Sequence, residues 1–133
     1  MQSIGELFGL KGRTAVVTGG AGVLGSMIAE GLGRAGAKIL VLDVARAPEA
    51  AEELRKKGLD AKGMPADMMD RAKAGEACAT ALREAGRIDI LVNAAGGNVK
   101  EATTSADLKF FDIPAEALAK VVSLNLFAGA VIP

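Results

Sequence analysis

The sequence predicts an α/β fold, a doubly wound parallel sheet flanked by helices. Two observations carry that expectation. Short apolar, β-branched runs alternate with longer segments of helical periodicity along the chain, and such alternation builds a parallel sheet covered on both faces. The first strand-to-helix junction, TAVVTGGAGVLG, carries Gly19, Gly22 and Gly25 at every third position. A length of 133 residues suits one domain with a single core.

Taken in order, Arg13–Thr18 is a short apolar run that reads as a buried strand. From Val23 to Ala35, the apolar residues Leu24, Ile28, Leu32 and Ala35 recur at the spacing of one helix face, and Gly36 suits the position just past its end. Ala37–Asp43 is a second buried strand that ends in an acid. Pro48 opens a helix where proline is best tolerated, and Arg55-Lys56-Lys57-Gly58 closes it with positive charge at the negative end of the helix dipole. Asp60–Ala66 is a weaker third strand, and Asp70 N-caps an alanine-rich helix that reaches Ala85, with Gly86 after it. Ile88–Asn93 is a fourth strand; a polar loop, Gly97–Asp112, leads to a last helix from Pro114 onward. Right-handed crossovers would set the strands in the order 3-2-1-4, an incomplete sheet of the Rossmann kind.

Composition narrows the function. Sixteen basic residues balance 16 acidic ones, so there is no basic footprint for nucleic acid. No apolar run reaches the roughly 18 residues a membrane span requires, and Met1–Gly12 lacks the apolar core of a signal peptide. A single cysteine, Cys78, excludes an internal disulfide framework and suits a reducing compartment. A soluble cytoplasmic protein is expected. The chain has no His, Trp or Tyr, so imidazole-based metal sites, a Ser-His-Asp relay and a tyrosine acid are all excluded within it. No metal site is expected. Cys78, mid-helix among alanines, reads as packing; Met64, Met68 and Met69 read as gap fillers, and Thr103, Thr104 and Ser105 as turn residues of a polar surface loop.

The glycine pattern has the frame a dinucleotide site requires: a strand before it, a helix after it, and Asp43 about 20 residues on. Gly19 permits the tight turn, Gly22 lets the backbone approach a pyrophosphate, and Gly25 lets the helix pack close to the sheet. The free N–H groups at the helix start, reinforced by its dipole, would hold the phosphates. Asp43 would accept hydrogen bonds from ribose hydroxyls. The alternative is a structural glycine turn, which accounts for neither the frame nor the acid.

With those residues in view, the chain resembles the short-chain dehydrogenase/reductase family along its whole length. The likeness rests on Thr18-Gly19-Gly20-Ala21-Gly22-Val23-Leu24-Gly25, Asp43, Asp67, Asn93-Ala94-Ala95-Gly96 and Asn125. It implies a nicotinamide cofactor, with Gly19, Leu24 and Gly25 lining the pyrophosphate. Asp67 and the backbone of Met68 would meet the adenine, and Asn93, Ala94, Ala95 and Gly96 would run beside the ribose nearer the nicotinamide. The family's commonest form has glycine where this chain has Val23; Gly22 gives the spacing of its extended branch. NAD is expected over NADP, because Asp43 would repel a 2′-phosphate and Val44 follows it, with Arg46 the nearest basic residue.

Within the family, GGAGVLGS, NAAGGN, ATTS and FFDIP resemble a sugar-acid group, the D-mannonate oxidoreductases or fructuronate reductases. Gluconate 5-dehydrogenases and 3-oxoacyl reductases share much of the same skeleton. The resemblance implies hydride transfer between the cofactor and a small carbonyl or secondary alcohol, in a complete enzyme that is a homodimer or homotetramer. The family's catalytic Ser and Tyr-x-x-x-Lys have no counterpart here. Residues 1–133 therefore read as the N-terminal part of a single NAD(P)-binding domain, inactive alone; the alternative is a non-catalytic dinucleotide-binding module. Asn125 falls within an apolar stripe of Leu118, Val121, Val122 and Leu126, so it is expected to face inward. There it is either a core amide bonded to backbone or, as the resemblance implies, an Asn that holds a water in the proton relay of the catalytic lysine.

Overall fold

The computed structural model describes residues 3–133. A short helix α1 (Ile4–Phe8), closed by a reciprocal Ser3–Glu6 capping box, precedes the alternating core. The core runs β1 (Thr14–Thr18), α2 (Val23–Arg34), β2 (Lys38–Asp43), α3 (Ala47–Lys56), β3 (Ala61–Pro65), α4 (Arg71–Ala85), β4 (Ile90–Asn93) and α5 (Ala115–Val122). Two single 3₁₀ turns, Lys100–Ala102 and Phe110–Asp112, lie in the loop before α5. The four strands are parallel in the order β3-β2-β1-β4, as expected from right-handed crossovers.

Register explains where a site can form. Thr18 pairs with Leu42 on one side and with Asn93 on the other, while Asp43 pairs with Pro65. The carboxyl ends of all four strands therefore finish at one edge, and the loops that follow them leave side by side. Strand alternation divides the interior in two. Ala15, Val17, Ile39 and Val41 pack with Ala29 of α2 and with Ala47, Ala51 and Leu54 of α3. Val16, Leu40 and Leu42 face Ala74, Ala77 and Ala81 of α4, together with Ala128.

At the opposite edge, Asp89 ties the beginnings of β1 and β4 together. Its carboxylate accepts from the Arg87 guanidinium, from the Thr14 N–H at 2.9 Å and from Arg13 Nη1 at 3.0 Å. Those donors, Arg87 first, hold the carboxyl well below the usual aspartate range.

Three expectations are corrected. The buried face of α2 is not the one containing Leu24 and Ile28: Leu24 is 73% exposed, and Gly25 and Ala29 are the buried residues. Small residues bring this helix close to the sheet; a Cβ on Gly25 would lie 2.3 Å from the Gly19 carbonyl oxygen. The stripe of Leu118, Val122 and Leu126 is likewise half exposed, and Asn125 is exposed rather than inward. Here the buried contacts come from Ala117, Ala128 and Gly129, and from Ser123 to Val131 the chain widens into a π-helix, so a 3.6-residue period does not describe its faces. Cys78 is exposed as well, because α4 buries Ala74, Ala77 and Ala81 and leaves Cys78 beside that row.

Candidate dinucleotide site

The site begins with a turn. Gly19 takes φ +63°, the left-handed region that glycine enters at no steric cost, and the Gly22 N–H closes the turn on the Gly19 carbonyl at 3.0 Å. Gly22 is the N-cap of α2, at φ −74° and ψ 168°, and its side-chain-free cap makes no hydrogen bond to the helix. A Cβ there would stand 3.2 Å from the Gly19 carbonyl oxygen, so Gly22 is needed for closeness rather than for an unusual conformation. Val23 is the first residue of α2 and 80% exposed; a helical backbone accepts valine there, which explains how the chain departs from the family's commonest pattern without breaking the turn.

This helix start is an anion site in waiting. Among the described residues, the first α2 donor with a protein acceptor is the Ser26 N–H, on the Gly22 carbonyl at 2.9 Å. Val23, Leu24 and Gly25 therefore present their N–H groups at the positive end of the helix dipole. Their chemistry fits a pyrophosphate.

Asp43, at the end of β2, reaches back to the turn: its Oδ2 accepts the Ala21 N–H at 3.2 Å, and its Oδ1 accepts the Ala45 N–H at 3.1 Å. Asp67, after β3, folds its own loop by accepting the Met69 N–H at 2.9 Å. Next to it, Asp70 caps α4 through the N–H groups of Ala72 and Lys73. That bonding, the Lys73 N–H first, lowers its pKa.

The loop after β4 is held from two sides. Thr18, only 1% exposed, accepts the N–H groups of Ala94 and Ala95 on its hydroxyl oxygen, each at 3.3 Å. From the helix side, Asn125 pairs with the backbone of Gly97: Oδ1 accepts its N–H at 3.0 Å and Nδ2 donates to its carbonyl at 2.8 Å. The second Nδ2 hydrogen goes to the Val121 carbonyl at 3.0 Å. Asn125 is thus a clamp on the loop, with one Oδ1 lone pair left over. In the sequence Thr18 stands out only as the first residue of the glycine motif; the signal of its role is a hydroxyl at the end of an otherwise apolar strand.

These loops enclose a cleft of about 140 Å³ lined by Gly19, Asp43, Asp67, Met68, Ala95 and Gly96, with Leu42, Val44, Ala66, Leu124 and Ala128 completing the wall. Of the expected residues, Gly22, Val23, Leu24 and Gly25 form the adjacent helix start. Asn93 ends β4, Ala94 is bonded to Thr18, and Asn125 braces the loop from outside. A shallower depression that shares Val44, Ala66 and Asp67 extends along α4 to Lys73, Glu76 and Thr80. Among the described residues, no group of three or more His, Cys, Asp or Glu side chains could hold a metal, and no helix is long and apolar enough to cross a membrane.

A phosphate-ready helix start, an acid at the end of β2 and a braced loop after β4 agree with the family comparison, in which the short chain dehydrogenase model matches residues 13–132. The chain belongs to the short-chain dehydrogenases. The uncharacterized oxidoreductase UxuB of Bacillus subtilis is 35% identical over 131 residues, covering 91% of this chain and 47% of that protein. The 5-keto-D-gluconate 5-reductase of Escherichia coli is 36% identical over 93 residues, covering 68% of this chain and 37% of the reductase. Among solved structures, a candidate D-mannonate oxidoreductase from Haemophilus influenza with bound NAD superposes with a TM-score of 0.84 at 29% identity, covering 98% of this short-chain dehydrogenase and 51% of that chain. The chain spans about half the length, or less, of the relatives it matches.

Proposed function

We propose that this chain is the dinucleotide-binding part of an oxidoreductase that moves a hydride between NAD(H) and a carbonyl or secondary alcohol, with a sugar acid of the D-mannonate/D-fructuronate kind as substrate. One observation carries the reading: Gly19, Asp43, Asp67, Met68, Ala95 and Gly96, drawn from the end of β2 and from the loops after β1, β3 and β4, line a single cleft at the carboxyl edge of the sheet, where open α/β sheets bind ligands. The N–H groups of Val23, Leu24 and Gly25 would hold the pyrophosphate, Asp43 the adenosine ribose, and Asp67 with the Met68 backbone the adenine. Ala94–Gly96 would run beside the second ribose. When bound, the nicotinamide would supply the hydride chemistry.

Asp43 favours NAD, since a 2′-phosphate would meet its carboxylate. The bound NAD of the Haemophilus protein supports a nicotinamide cofactor, and the sugar-acid names of the matched relatives support the substrate class. The general acid is proposed to come from further sequence, because the chain contains no tyrosine and no histidine. The oxidised or reduced carbon would lie near the loop that Asn125 clamps, and the free Oδ1 lone pair of Asn125 is where a relay water would be held. Residues 1–133 alone would bind without turning over.

That same lack of a proton donor favours a second reading, a non-catalytic dinucleotide-binding module. Reading the gene beyond codon 133 separates the two: a Tyr-x-x-x-Lys downstream supports the enzyme. Fluorescence titration with NADH and NADPH, followed by turnover of D-mannonate and D-fructuronate by the complete polypeptide, tests the first reading. Tight NADH binding with sugar-acid turnover is expected. Tighter NADPH binding, or turnover confined to 3-oxoacyl thioesters, would overturn the cofactor or substrate assignment respectively.

A further inference from the structure

Asp43 makes more hydrogen bonds than a reader of ribose hydroxyls needs. Its Oδ2 accepts the Ala21 N–H at 3.2 Å, and its Oδ1 accepts the N–H groups of Ala45 at 3.1 Å and Arg46 at 3.5 Å. From the same loop, the Arg46 guanidinium donates to the Ala21 carbonyl at 3.5 Å. Both backbone polar groups of Ala21, in the middle of the glycine turn, are therefore held by the connection between β2 and α3. The turn has little else to hold it: the Gly22 N–H on the Gly19 carbonyl at 3.0 Å and the Gly20 N–H on the Leu42 carbonyl at 3.4 Å.

We infer that Asp43, with Arg46, is a positioning residue for the phosphate turn as well as the group that meets the ribose, so that the adenosine and pyrophosphate subsites are coupled through Ala21. The inference rests on the dinucleotide-binding reading above. A carboxylate offers about four lone-pair positions, so three backbone donors still leave room for a ribose hydroxyl. Those donors orient the carboxylate before any ligand arrives, which reduces the ordering cost of binding. In the same way, the bonds to Ala21 hold the turn in the shape that presents the N–H groups of Val23, Leu24 and Gly25.

The test uses two probes with the complete polypeptide, ADP and 2′,3′-dideoxyadenosine diphosphate, measured by calorimetry. The dideoxy probe keeps the adenine and the diphosphate but has no ribose hydroxyl for Asp43 to read. Asp43→Ala is expected to weaken both probes, the dideoxy probe by about tenfold, the scale of one lost hydrogen bond to a charged group. Asp43→Asn, whose single side-chain oxygen can still accept the Ala21 N–H, should recover part of that loss. Arg46→Met should weaken the dideoxy probe by about threefold, the scale of a long, exposed contact. Thermal melting of each variant shows that binding is measured on folded protein. If Asp43→Ala binds the dideoxy probe as tightly as wild type, Asp43 only reads ribose and the inference falls. Should Asp43→Ala not fold, unchanged dideoxy affinity in both Asp43→Asn and Arg46→Met overturns it equally. A wild-type protein that binds neither probe nor NADH instead sinks the dinucleotide reading, and this inference with it.

Discussion

Replacing Thr18 by valine removes one hydroxyl and little else. The two side chains are nearly equal in volume and both are β-branched, so strand preference and packing are kept. What is lost is the oxygen that accepts the N–H groups of Ala94 and Ala95, each at 3.3 Å, and donates to the Val92 carbonyl at 3.5 Å. Ala94 keeps a partner, because its N–H also donates to the Thr18 carbonyl at 3.1 Å. Ala95 does not. One stranded, partly buried N–H costs about 1–2 kcal/mol, toward the lower end of the range for an unsatisfied group because water reaches part of it. At about 4 °C per kcal/mol for a chain of this size, the melting midpoint should fall by roughly 4–8 °C.

The functional effect should exceed the stability effect, because the freed segment is Ala94–Gly96 on the wall of the cleft. NADH affinity, measured by fluorescence titration well below the melting midpoint, is expected to drop several-fold in Thr18→Val. Thr18→Ser is the control. It keeps the hydroxyl and gives up one methyl, about 0.8 kcal/mol of burial, and should bind NADH like wild type while melting slightly early. Wild-type NADH affinity in Thr18→Val, or equal losses in both variants, would show that the hydroxyl does not hold the loop.

Gly25→Ala places a Cβ 2.3 Å from the Gly19 carbonyl oxygen, so α2 must move off the sheet; NADH binding should be lost and stability lowered by about 1–3 kcal/mol, the cost of overpacking, and a folded Gly25→Ala protein with normal affinity would refute the close-packing account. On the enzyme reading, Asn125→Ala should cut turnover by more than the few-fold loss of NADH affinity that releasing Gly97 brings, with melting recorded alongside; a variant that melts early but turns over normally when cooled would make Asn125 a brace alone. The depressed pKa of Asp89 predicts an acid limb in stability: its contribution is fully present above the unfolded value of about 3.9 and is lost as pH falls through the lower folded value. Urea midpoints measured through that range should fall for wild type and fall less steeply for Asp89→Asn; parallel curves would contradict the assignment.

Much of the fold was legible because each strand and helix is punctuated by residues with one physical use. Asp70 caps α4 with its side chain, and Gly86 closes it at φ 75°, as their positions in the sequence suggest. Strand order followed from right-handed crossovers in a doubly wound arrangement. The helix faces were harder to read, because both misread helices are packed through small residues. Large apolar side chains mark the buried side only when a helix stands at ordinary distance from its neighbour. In α2 the contact is made by Gly25 and Ala29, and near the C-terminal end by Ala117, Ala128 and Gly129, so Leu24, Leu118 and Leu126 are left facing outward. The π-helical winding after Ser123 then displaced Asn125 from the face that a regular period assigns it. Of the cleft residues, Gly19 and Asp43 were readable from motif spacing, and Asp67, Met68, Ala95 and Gly96 from the family resemblance, whereas Thr18 required knowing that β1 and β4 are neighbours in register.

The site's polar groups divide by task, and that division bears on the competing functional readings. On the proposed reading, recognition is built from backbone N–H groups at the start of α2, from Asp43 at the end of β2 and from Asp67 in the loop after β3. Three side chains, Thr18, Asp43 and Asn125, hold the loops through backbone bonds. None of these groups is a phenol or an imidazole, since the sequence has no tyrosine and no histidine. A site of this composition is suited to binding and orienting a dinucleotide, and on the reading proposed above the proton for a substrate oxygen comes from another group. The enzyme and module readings therefore predict the same cofactor binding by residues 1–133. They differ in whether a proton donor from further sequence arrives beside Gly96 and Gly97. Asn125 is the point at which that difference can be measured: as a brace it matters to both readings, but as the holder of a relay water it matters only where a lysine and a tyrosine stand on the other side. An Asn125→Ala effect on turnover that exceeds its effect on NADH affinity thus supports the enzyme on grounds independent of the downstream gene sequence.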